Sequence, residues 1–73
     1  MDEADFARLV GLYDRFANAL DFDSEDARAA EGEFYSLLGN LYDQERTAEP
    51  KLDYAAFRRG IIMRCKQRIS KGG

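Results

Sequence analysis

Apolar residues return every three or four positions in three separate stretches of this chain, and they never alternate with polar ones over a strand's length. That excludes most folds before composition is considered. Only a helix, turning about 100° per residue, gathers such positions onto one face. In the first stretch Phe6, Leu9, Val10, Tyr13, Phe16, Ala17 and Leu20 share a face. Asp2, Glu3 and Asp5 precede or open it, where carboxylates suit the positive end of the helix dipole. The spacing predicts a helix over about 3–20.

In the second stretch Ala27, Ala30, Phe34, Leu37, Leu38 and Leu41 form the stripe. Asp23 or Ser24 is the N-cap, Glu25 and Asp26 fill the first turn, and Phe22 is placed to staple the start of the helix against the core. Pro50 disfavours helical geometry at Glu49, so this helix is predicted over about 24–46. In the third stretch Tyr54, Phe57, Ile61, Ile62, Cys65 and Ile69 form the stripe behind an Asp53 N-cap. A helix over about 53–70 follows, with Lys71, Gly72 and Gly73 as a frayed end. Short connections set neighbouring helices antiparallel. The predicted fold is therefore all-α: a small up-down-up three-helix bundle forming one domain over 1–73. Phe16, Leu38 and Ile61, near the middle of their stripes, are expected to be buried.

A chain of 73 residues has room for one core and little room for a deep substrate cavity. It has no histidine, the commonest general base near neutral pH, and neither a nucleophile elbow nor a phosphate-binding glycine loop. An enzyme is not expected, nor a cofactor. The acids Asp21, Asp23, Glu25 and Asp26 invite comparison with a calcium loop, but the required glycine is Asp26 and the required final glutamate is Gly32. They read as caps and first-turn acids, and no metal is expected. Cys65 is the only cysteine, so no internal disulfide can form. It lies on the Ile61/Ile69 face and reads as a buried, inert thiol. With no disulfide, no apolar run long enough for a membrane span and an acidic start, the chain is expected to be cytoplasmic.

Charge then divides the chain at Pro50. Residues 1–50 hold 13 Asp/Glu and 4 Lys/Arg, a net of −9, while residues 51–73 hold 7 Lys/Arg and one acid, a net of +6; together they give −3. The cations Arg58, Arg59, Arg64, Lys66, Arg68 and Lys71 all fall on the third helix. On a helical wheel Arg59, Met63, Lys66 and Ser70 point away from the stripe, and Arg58, Arg64 and Arg68 lie at its edges. The edge arginines are expected to pair with acids of the other helices, which would neutralise the patch within the bundle. A free patch would suit an acidic protein, a membrane surface or nucleic acid, the last against an overall pI of about 4.8.

A second candidate surface is on the second helix. Ala29, Gly32, Ser36 and Gly39 form a stripe of small residues opposite the apolar one, bordered by Tyr35 and Tyr42. Two interior glycines cost roughly 1 kcal/mol each relative to alanine, so close approach by another helix is one explanation and tolerated surface glycines are the other. The functional expectation is a small protein-interaction or regulatory module that acts through its helical surfaces on a protein partner or in a homodimer. The alternative is a small nucleic-acid-binding regulator using the third helix.

Overall fold

The computed structural model describes residues 1–72. Three helices account for its regular structure, α1 over Glu3–Ala17, α2 over Glu25–Ala48 and α3 over Tyr54–Gly72, and no strand occurs among the described residues. The third helix continues through Gly72, and Gly73 lies outside the described residues.

Each helix begins at a side-chain cap. Asp2 Oδ1 accepts from the Asp5 N–H at 2.9 Å, Ser24 Oγ from Ala27 at 3.2 Å, and Asp53 Oδ2 from Ala56 at 3.0 Å. These bonds satisfy N–H groups that have no partner inside the helix. Ser24, rather than Asp23, is the cap of α2.

The first helix stops at Ala17, three residues earlier than its apolar spacing predicts. The reason is local hydrogen bonding. Asn18 caps the end, with its N–H on the Asp14 carbonyl and its Nδ2 donating to Asp14 Oδ1 at 2.6 Å. Asp21 then accepts from the Asp23 N–H through its side chain at 3.0 Å and from the Ser24 N–H through its carbonyl at 3.2 Å. Short polar side chains offer the backbone these alternatives to a helix. As a result Leu20 drops out of the stripe and is fully exposed, and Phe22 is 69% exposed and does not staple α2 to the core.

The helices run up, down and up. The Met1 amine meets Glu45 Oε1 at 2.7 Å at one end of the α1–α2 pair, and Arg15 is bonded to Asp26 at the other. Between them, the rings of Phe16 and Phe34 meet edge-on at 5.4 Å, and Tyr13 lies 5.8 Å from Phe34. The most extensive packing is between α1 and α2; α3 lies next against α1 and touches α2 least. Its link to α2 is concentrated near their loop. There Tyr42 donates its hydroxyl to the Leu52 carbonyl at 2.7 Å, and its ring meets Tyr54 at 5.1 Å and Phe57 at 5.7 Å.

The core follows the expected stripes with two changes. Phe6, Leu9, Leu12, Ala27, Ala30, Phe34, Leu38, Leu41, Ile61 and Cys65 are buried. Leu12, off the expected stripe, is among them, whereas Phe16 is only partly buried. The two changes have separate causes: α1 is covered by two helices, which widens its buried face towards Leu12, while Phe16 sits one residue from the end of α1. Burial pushes the Cys65 thiol up from its ordinary pKa, against a smaller opposing effect of Arg64. Burial likewise raises the Tyr13 hydroxyl. No helix is long and apolar enough to cross a membrane among the described residues.

Candidate functional site

The third helix has six cations and no acid, and among the residues whose burial is described only Ile61 and Cys65 are buried in it. All six basic side chains are exposed, and few of them meet an acid of the other helices. Among the described residues a single ion pair joins α3 to another helix, Arg68 to Glu3 at 2.8 Å. The expected pairing of Arg58 and Arg64 with acids does not occur. Both instead lie over aromatic rings, Arg58 over Tyr54 at 5.8 Å and Arg64 over Phe6 at 4.6 Å. Arg68 shares the Phe6 ring at 5.0 Å. An arginine over a ring keeps its charge and leaves donors for another acceptor.

The geometry sets five of the six cations on two rails, with Arg58 apart over Tyr54. Arg64, Arg68 and Lys71 surround a shallow depression of about 230 Å³ with Phe6 and Gln67 at its wall. Arg59 and Lys66 lie on the opposite flank, about 100–200° round the helix from them. Between the rails run Ala56, Gly60, Met63 and Gln67, all exposed and within about 60° of one another at helical spacing. Met63 is 56% exposed. The outer face of α3 is thus a neutral strip with small and apolar residues, bordered by cations on both sides. Sequence reasoning found the cations; it did not find the strip. The signal was present in the four-, three- and four-residue spacing from Ala56 to Gln67.

On α2 the structure separates the other candidates. Ala29, Gly32 and Ser36 are exposed and Gly39 is partly covered. A Cβ added at Gly32 or Gly39 would meet no atom within 4 Å, so no part of this chain requires glycine there. The two tyrosines pack against the bundle, Tyr42 partly buried and Tyr35 still exposed. Tyr35 lies against Phe34 at 5.2 Å and Phe16 at 6.3 Å, and Tyr42 serves the α2–α3 link. The stripe remains open, and of its expected aromatic border Tyr42 is committed to the bundle while Tyr35 stays exposed.

No group of three or more Cys, Asp or Glu side chains among the described residues is arranged to hold a metal ion. Comparison with protein-family models, with curated proteins and with solved structures finds no match.

Proposed function

We propose that the protein is a small cytoplasmic interaction module without catalytic chemistry of its own, and that its working surface is the outer face of α3, which takes an acidic segment of another protein. The observation that carries this reading is the state of the arginines. Six cations on one exposed helix have a single interhelical ion pair among the described residues. The neutral strip between the rails gives an incoming helix an apolar line to lie on, and the rails give its flanking carboxylates partners. A lone, buried thiol suits a reducing compartment.

A nucleic-acid regulator is the second reading, and the same unpaired cations favour it. Against it stands the acidic remainder of so small a molecule, which opposes the dense phosphate charge of a duplex more strongly than the few carboxylates of a short helical segment. Fluorescence anisotropy separates the two. We expect saturable binding of a labelled glutamate-rich helical peptide, and affinity for random-sequence duplex DNA no better than about 10 μM at about 150 mM salt. Sub-micromolar, salt-sensitive binding of DNA or RNA would put the second reading first.

A further inference from the structure

Leu20 and Phe22 are the most exposed large apolar side chains among the described residues, at 108% and 69%, and both stand in the α1–α2 loop. They alternate with Asp21 and Asp23, so the apolar pair is framed by carboxylates. Water-exposed side chains of this size, side by side on a small domain, favour being covered. Their own bundle does not cover them.

The complement lies at the same end of the molecule. Where α1 ends against the last turns of α3, a shallow groove of about 310 Å³ is lined by Tyr13, Ala17, Asn18, Lys66, Ile69 and Ser70. Tyr13, Ala17 and Ile69 supply an apolar floor, and Lys66 a cation at the rim. The groove adjoins the loop, since Asn18 belongs to both. One end of the bundle therefore carries an apolar pair set among acids and, beside it, an apolar groove next to a base. A surface with both halves is self-complementary under a two-fold rotation.

We propose that this end pairs with the same end of a second copy, Leu20 and Phe22 of each copy covering the α1–α3 groove of the other and Asp21 meeting Lys66 across the axis. A second copy fits because both halves of the contact are on this chain, with an acid beside the apolar pair and a base at the rim of the groove. The contact closes at two, leaving no half free to recruit a third. Two side chains and one groove per copy make a small interface, at the weak end of the range below about 1,200 Å². The dimer thus forms only at high protein concentration. This pairing does not depend on the outer strip of α3; it shares only Lys66 with the surface proposed above, and the Leu20 and Phe22 substitutions leave that surface intact.

Sedimentation equilibrium of the full chain, from about 10 μM to about 1 mM, tests it. The weight-average mass should rise from 8.3 kDa towards twice that value and stop there. Leu20→Ser with Phe22→Ser should hold the mass at 8.3 kDa with an unchanged thermal melt, because both side chains are exposed. Asp21→Lys alone and Lys66→Asp alone should each weaken association roughly tenfold, and the two together should restore it. A parent that stays monomeric throughout would overturn the proposal. So would a dimer indifferent to the double serine variant, charge reversals that do not rescue each other, or a mass that grows past two copies.

Discussion

Four glycines sit inside the helices, and replacing them tests how the surface of this bundle is built. Gly11 is in α1, Gly32 and Gly39 are in α2, and Gly60 is in α3. None has a positive φ, so none is needed for backbone conformation. A Cβ built at any of the four meets nothing within 4 Å, so alanine fits without displacing a neighbour. Each Gly→Ala change should then give the helix-propensity gain alone, about 0.5–1 kcal/mol. The sites are on three helices or two turns apart, so their effects should add. The quadruple alanine variant should gain about 2–4 kcal/mol, which for a domain of this size raises Tm by at least about 8 °C. Circular dichroism melts of the four single variants and the quadruple variant supply the measurement. A quadruple variant that melts at or below the parent would refute the reasoning, because it would mean that at least one of these faces is covered in the isolated protein. If Gly32→Ala or Gly39→Ala stabilises the fold yet reduces capture of another molecule, the small-residue stripe of α2 is itself a contact surface.

Three further outcomes follow from the packing. Leu38 is fully buried between the helices, and Leu38→Ala should cost roughly 2–5 kcal/mol in urea titrations, most of the stability of so small a domain. Tyr42→Phe leaves the rings packed but removes the hydroxyl bond to Leu52, so it should cost about 0.5–1.5 kcal/mol and raise amide exchange across the α2–α3 loop. Stability should also fall on the alkaline side. Cys65, Tyr13 and the Met1 amine all have raised pKa values, the first two through burial and the amine chiefly through its hydrogen bond to Glu45. The folded state therefore holds these protons more tightly than the unfolded chain, and stability present at neutral pH is lost as pH rises past their ordinary values of 8.0 to 10.0. Urea midpoints at pH 7 and about pH 10 should differ in the parent, and Cys65→Ala with Tyr13→Phe should narrow the difference.

Helix number, order and most of the core were legible in the sequence because they rest on periodicity. Phe34, Leu38, Ile61 and Cys65 are buried where the stripes place them. The failure at Leu20 shows the limit of that signal. Its spacing fits the helix, but Asn18 caps the end through its N–H and its bond to the Asp14 carboxylate, and the Asp21 carboxylate takes the Asp23 N–H into a turn, so the helix ends first. Phe22 is exposed because the chain turns at Asp21 and does not enter α2 along the core, as a staple requires. The partners of the arginines were not legible. Charge composition predicts attraction between α3 and the acidic helices, but a long side chain at a helix edge can choose a ring as readily as a carboxylate. Arg64 and Arg58 chose Phe6 and Tyr54. That choice depends on how α3 is rotated and tilted against α1, which no single stripe determines.

Capture from the cytosol of the native cell, with and without nuclease, tests the central claim most directly when parent and an α3 variant are compared. The variant carries Arg59→Gln, Arg64→Gln and Lys71→Gln, exposed side chains without an ion pair among the described residues, and its melt should stay within about 1–2 kcal/mol of the parent. The account predicts protein partners that survive nuclease with the parent and are lost with the variant. Partners that vanish on nuclease treatment, or that remain bound to the variant, would contradict it.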